Sequence, residues 1–288
     1  MKDIPTSPRI KEIRHKRRVR RIRRCVFFFV LFIGIVIGLS YLSGERHTTI
    51  DKIVVTGTHI IYQDDIEKEA RIHISGKYLH LFHKNNSFIY PENKIYKNLI
   101  SKFPRIEKLS ITRDGQKTLH IDIVERTGKY LYCGASLPLE KEQVGENCYF
   151  VNNDGLIFDK APYFSGNIYF KYYMALDSNI TDPLAKQMLQ IDDFHKLARF
   201  IDGVTYLLFK PIYIVLAPDG TYTLYLDHEV SATTPTIIFK KSDDLEVLLD
   251  NLTLAMQKKE FADEINSKYN TLLYIDLKFK NKVLYKFQ

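Results

Sequence analysis

The 288-residue chain lacks the short motifs that mark the commonest catalytic and nucleotide-binding machinery. It has no G-x-S-x-G, no H-E-x-x-H, no G-x-x-x-x-G-K-[ST] and no C-x-x-C. Without them there is no sequence case for a nucleophile elbow, a zinc-protease helix, a phosphate-cradling loop or a dithiol redox pair. Histidine offers little more. His73, His80 and His83 fall in or beside an irregular polar stretch and read as solvated rather than metal-binding. His228-Glu229 has no further partner for acid/base work, and His195 sits on an otherwise apolar stripe as a packed or boundary residue. No catalytic, cofactor-binding or metal-ligating residue is therefore assigned.

Beyond its first 24 residues the chain also lacks a charge excess. Residues 1–24 hold eleven Lys or Arg against Asp3 and Glu12, a net of +9, so the total of +8 leaves −1 for the rest. The globular part therefore gives no compositional argument for nucleic acid, and in the tail the charge reads as topological in preference to a specific RNA or DNA contact. The basic cluster Lys16 to Arg24 runs straight into an uncharged apolar segment, Cys25 to Gly44. As helix, Cys25 to Ser43 covers about 28 Å, close to the hydrocarbon thickness of a bilayer. The pattern is that of a single membrane helix with its basic end cytoplasmic and the remainder outside, the tail being drawn to anionic headgroups. A cleaved signal peptide, with Gly38-x-Ser40 as its site, is the competitor. The long basic region and the length of the apolar run both count against it. Gly34 and Gly38 have the G-x-x-x-G spacing that lets a second helix approach closely.

Cysteine is scarce. Cys25 lies at the cytoplasmic edge of the helix, while Cys133 and Cys148 lie outside, where a disulfide could persist or two buried thiols could remain free.

In residues 45–126, Ile50 to Val55 reads as a strand and Asp64-Asp65 opens a short helix. An irregular segment follows from Ile74 to Tyr90. Pro91 then starts a helix with Ile95, Leu99 and Phe103 on one face, ended by Pro104. Leu109/Ile111 and Leu119/Ile121/Ile123 alternate about an Asp114-Gly115 turn. This is a β-α-α-β-β unit. The run Ile53-x-Val55-x-Gly57, Asp65-Ile66, Phe103-Pro104-x-Ile106, Arg113 and Leu119-x-Ile121-x-Ile123-x-Glu125-Arg126 resembles the POTRA domain of the bacterial cell-division FtsQ/DivIB family. Its place outside one membrane helix with a basic tail is also similar to that family. Gly128 departs from it, since a proline often follows the Glu-Arg pair there.

Residues 127–288 turn strongly β. Tyr130 to Tyr132, Cys148 to Val151 and Leu156 to Phe158 read as strands, the last two joined by an Asn-Asn-Asp-Gly turn. Cys148-Tyr149-Phe150-Val151-x-x-Asp154-Gly155-x-Ile157-Phe158 and Ala161-Pro162 resemble the opening of the family's second domain. A long helix is expected from an Asp182 N-cap, with Leu184, Met188, Ile191, His195 and Ala198 as its stripe. A hairpin follows over Pro211 to Leu226. Strand Ile237 to Phe239 leads to a helix N-capped by Ser242, with Leu245, Leu248, Leu249 and Leu252 on one face. Leu273, Ile275, Leu277 and Phe279 then alternate with polar neighbours. Tyr274 to Phe279 followed by Asn281-Lys282-Val283-x-Tyr285-Lys286 looks like the family's terminal signature, with Lys278 in place of the usual arginine fork.

The expected architecture is α+β: basic tail 1–24, transmembrane helix 25–44, POTRA domain 45–126, and a mixed α/β domain 127–288 dominated by an antiparallel sheet. The resemblance implies a non-catalytic divisome scaffold without cofactor in the bacterial cytoplasmic membrane at the septum. It would recruit FtsB/FtsL-type coiled-coil membrane proteins and other divisome components. Its contact would be strand addition at a C-terminal edge through Tyr274, Asp276, Lys278 and Phe279, with the alternative that these complete the sheet and Phe279 the core. A single-pass glycosyltransferase-like enzyme is the competing class, supported by sequons at Asn85, Asn179 and Asn251 but lacking a D-x-D motif. Another POTRA-bearing envelope or secretion adaptor is the third.

Overall fold

The computed structural model describes residues 8–137, 147–164, 166–176, 182–227, 234–279 and 282–288; for 8–16 it gives the helical backbone alone. The chain divides into two compact units, Met1–Glu125 and Arg126–Gln288.

The first unit begins with one continuous helix, α1 (Pro8–Ser43). From Arg17 to Ser43 it is long and apolar enough to cross a membrane, and its apolar side chains from Val26 to Leu42, half-buried Val36 apart, are exposed. Strand β1 (Lys52–Thr56) and helix α2 (Gln63–Ile74) follow, with Asp64 and Asp65 in the helix's first turn. The stretch read as irregular folds in part as a small hairpin, β2 (Lys77–Tyr78) with β3 (Phe82–His83). Helix α3 (Glu92–Lys102) starts just after Pro91 and closes where the Phe103 N–H donates to Leu99 O, before Pro104. Strands β4 (Ile106–Asp114) and β5 (Thr118–Glu125) complete a three-stranded sheet of order β1-β5-β4, β1 parallel to β5 and β5 antiparallel to β4.

The alternation of β5 sends Leu119, Ile121 and Ile123 inward against Ile66 and Ala70 of α2 and Ile95 and Leu99 of α3. That burial is what holds the unit together. Gly57 (φ +78°) brings the backbone so close to Ile123 O that a Cβ would lie 2.0 Å from it.

The second unit is built on a nine-stranded mixed sheet. Its strands are β6 (Tyr130–Tyr132), β7 (Tyr149–Val151), β8 (Ile157–Lys160), β9 (Phe170–Met174), β10 (Pro211–Leu216), β11 (Thr221–Leu226), β12 (Thr236–Lys240), β13 (Leu272–Asp276) and β14 (Leu284–Phe287). Their order is β14-β13-β12-β11-β10-β9-β6-β7-β8, and antiparallel pairs outnumber parallel ones. Helices α4 (Ile191–Tyr206) and α5 (Leu245–Gln257) contribute to one core with Tyr172, Ile214, Leu224, Ile237, Phe239 and Ile275.

Three sequence expectations need correction. The helix expected from Asp182 starts only at Ile191. Residues 185–188 bond instead to the β7–β8 hairpin: Ala185 N donates to Ile157 O, Ile157 N to Lys186 O and Met188 N to Gly155 O. The inward face of α4 is Phe194, Leu197, Phe200, Ile201 and Val204, with Ile191 exposed and His195 at the boundary, because Phe194 fills the space beside Tyr130 and Tyr172 and Phe200 packs on Phe239. The N-cap of α5 is Asp244 rather than Ser242, its carboxylate accepting from Glu246 N and Val247 N. A further helix, α6 (Lys259–Ser267), follows α5.

Candidate partner-binding edge

The residues expected on an exposed strand are not at the edge of the sheet. Tyr274 and Asp276 belong to β13, which pairs with β12 on one side and β14 on the other. Lys278 and Phe279 lie past the end of β13 in a local turn, where Asp276 Oδ1 accepts from Lys278 N at 2.9 Å and Asp276 Oδ2 is 3.4 Å from Lys278 Nζ. Phe279 is half-exposed rather than core. The cause is that the chain comes back after β13 and lays one more strand, β14, beside it.

Among the described residues the free edge is β14. Gln288 N donates to Thr271 O and Leu277 N to Ile238 O. By the two-residue alternation of a strand, the main-chain groups of Leu284 and Lys286 then face β13, and those of Tyr285 and Phe287 face outward. Helix α6 braces this edge. The Tyr285 ring stands 5.0 Å from that of Phe261, its hydroxyl donates to Glu264 Oε2 at 2.7 Å, Lys268 Nζ lies 3.0 Å from Glu264 Oε1, and Lys268 also sits over the Phe287 ring. The donors Tyr285 and Lys268 hold the Glu264 carboxyl below the ordinary carboxylate range, and the same bond raises the Tyr285 hydroxyl. Spacing carried this signal: Phe261, Glu264, Ile265 and Lys268 share a helical face.

Competing edges are less open. At the opposite margin, β8 is short and its start at Ile157 is covered by the bonds with residues 185 and 186. In the first unit β4 is long, but Glu107, Lys108, Arg113 and Asp114 give it the charge that discourages strand pairing.

Other expected positions are accounted for. Nothing lies within 4 Å of a Cβ built on Gly34 or Gly38, so that face of α1 is open. Cys133 and Cys148 are joined, with Cα atoms 4.2 Å apart, in a small cluster with Leu131, Ala161, Phe150 and Phe164. Among the described residues no group of three His, Cys, Asp or Glu could hold a metal ion. His73 is not solvated but half-buried, 3.6 Å from Glu69, which itself pairs with Lys102 of α3, and His195 is a half-buried boundary residue bonded to Asp154 at 3.0 Å. Of the sequons, Asn85 adjoins buried Asn86, Asn251 lies within α5, and Asn179 and the His228-Glu229 pair fall outside the described residues.

A final constellation marks the first unit. The Glu125 carboxylate accepts from the backbone N–H groups of His59, Ile60 and Ile61 at 2.8–3.1 Å and lies 3.9 Å from Arg105. It ties the loop after β1 to the end of β5. The family model of the FtsQ-type POTRA domain matches residues 48–126. This unit carries an FtsQ-type POTRA domain. The match supports the resemblance to the FtsQ/DivIB cell-division family, whose POTRA proteins are generally non-catalytic and work through divisome protein–protein interactions. With α1 before it, the POTRA domain fits a single-pass membrane protein of the division site. Comparison with curated proteins returns no match.

Proposed function

We propose that the protein is a non-catalytic divisome scaffold that holds small coiled-coil membrane proteins of the FtsB/FtsL type at the septum and so couples them to septal peptidoglycan synthesis. The tail 1–24 stays cytoplasmic, by its charge, and the POTRA domain and sheet domain lie outside. The observation that carries the reading is the open edge β14 in a chain with an FtsQ-type POTRA domain. The outward main-chain groups of Tyr285 and Phe287 accept a partner strand, and Leu284 and Lys286 add side-chain selectivity. Partner helices approach α1 across Gly34 and Gly38. Because scaffold and partners share one membrane, a contact of modest intrinsic affinity suffices.

Co-purification of membrane partners with Tyr285→Pro tests the contact. Proline removes an outward N–H while leaving the bonds to β13, so the domain should stay folded and the coiled-coil partner should be lost. Tyr285→Ala, which loses the same side-chain contacts to Glu264, Phe261 and Phe287 but keeps the outward N–H, should retain it. Undiminished capture by folded Tyr285→Pro would refute strand addition at β14, and wild-type capture of some other envelope component would favour a different POTRA-bearing adaptor.

A further inference from the structure

The membrane helix does not hand over to a free linker. Ser40 Oγ donates to Leu81 O at 2.7 Å, Ser43 Oγ accepts from His83 N at 3.2 Å, and Asn86 Nδ2 donates to Ser43 O at 3.0 Å. The hairpin β2–β3 is thus bonded to the last turn of α1, and the order of these bonds fixes its direction. His83 meets Ser43, at the end of the helix, while Leu81 meets Ser40, about 4.5 Å back along the axis. The tip, residues 79–81, points back toward the membrane.

What the tip carries suits that position. Leu79 is 87% exposed and Leu81 is also exposed, an arrangement that costs free energy in water. Leu79 and His80 take left-handed φ of +47° and +63°, a conformation normally given to glycine or asparagine, and such backbone recurs at functional sites. Behind the tip stand Tyr78 and Phe82, paired across the hairpin, with Tyr41 of α1, itself 80% exposed, in the same turn as Ser40. Behind those stand Lys77, paired with His83, and Lys84, whose ammonium lies 5.8 Å from the Tyr78 ring centroid. Going outward, the order is leucine, aromatic, lysine, which matches acyl chains, interface and phosphates.

We infer that the β2–β3 hairpin is a second membrane contact, inserting Leu79 and Leu81 into the outer leaflet beside α1 with Lys77 and Lys84 on the headgroups. The inference rests on α1 spanning the bilayer, and the surface is continuous with the lipid-facing surface of α1.

The chain contains no tryptophan, so one introduced residue reports alone. The purified protein, without partners, is placed in phosphatidylethanolamine/phosphatidylglycerol vesicles with or without a mixture of lipids brominated near the headgroup end and near the methyl end of the acyl chains, so that both the shallow and the central depths are covered. Three variants are compared: Leu79→Trp, Ile35→Trp in the apolar run, and Tyr62→Trp, exposed beyond the far end of β1. Bromolipid should quench Leu79→Trp and Ile35→Trp about two-fold or more and leave Tyr62→Trp unchanged, whereas aqueous iodide should quench only Tyr62→Trp. Quenching of Ile35→Trp with Leu79→Trp behaving like Tyr62→Trp would overturn the hairpin contact and leave the spanning helix standing. Absence of quenching at Ile35 would overturn both.

Discussion

Glu125 should be the side chain whose loss costs the POTRA domain most for the smallest change in apolar packing. Glu125→Ala removes the acceptor for three backbone N–H groups and an ion-pair partner of Arg105. Hydrogen bonds to a charged group contribute about 1.5–3 kcal/mol each, but His59 and Ile60 are partly accessible and regain water, so a total of about 2–3 kcal/mol is expected. At about 1.4 kcal/mol per tenfold, this is roughly a 30- to 150-fold rise in opening, readable as faster amide exchange in peptides covering β1 and β5 under conditions where exchange reports the opening equilibrium. The effect has a pH signature. Burial works to raise the Glu125 carboxyl, but the backbone N–H groups of Ile61, His59 and Ile60 and the charge of Arg105 outweigh it and hold it below the ordinary range. A group depressed in the folded state stabilises above its unfolded pKa, near 4.3, and loses that contribution as pH falls through the lower folded value. Wild type should therefore approach Glu125→Ala in stability as the solution is acidified through that window. A Glu125→Ala exchange rate within about two-fold of wild type at neutral pH would refute the account.

Gly57→Ala should destabilise the POTRA domain by about 2–3 kcal/mol in urea titration, because the left-handed backbone and the Ile123 carbonyl leave no room for a methyl group. Gly203→Val should loosen the α4–α5 contact, since a Cβ there meets the Leu249 side chain at 2.4 Å; a Leu249→Ala second change should recover part of the loss. Peptide mapping without reductant should recover Cys133 and Cys148 linked, and Cys133→Ser should cost about 3 kcal/mol in the chain-entropy model for a loop of this length, whereas two alkylatable thiols after denaturation would rule the bridge out.

The POTRA domain was the most legible part of the sequence, because its elements are short, strongly periodic and separated by Gly57, Pro91, Pro104 and Gly115. Local pattern and tertiary burial agree there. At residues 182–190 they diverge: Asp182-Pro183 is a good helix start, but the hydrogen bonds that decide the conformation come from residues 155 and 157, remote in sequence. The edge is hidden from the sequence for a related reason. Alternation from Leu273 to Phe279 reads as one strand, and only the pairing with Leu284–Phe287 reveals that β13 has a neighbour on each side. Which strand is outermost is a property of topology, which periodicity does not encode. Glu125 was visible as a sequence marker, but its role depends on the loop at 59–61 being brought across 64 residues of chain.

Between Ser43 and Ile50 the backbone is hydrogen-bonded through successive turns, Gly44 N to Tyr41 O, Glu45 N to Leu42 O and Thr48 N to Glu45 O, before it bridges to Asn86. The POTRA domain therefore has a compass bearing. A swivel of α1 about its own axis must carry the domain with it, about 100° for each residue by which the packed face shifts. Whichever helix settles against Gly34 and Gly38 would choose the direction in the plane of the membrane toward which the domain is turned.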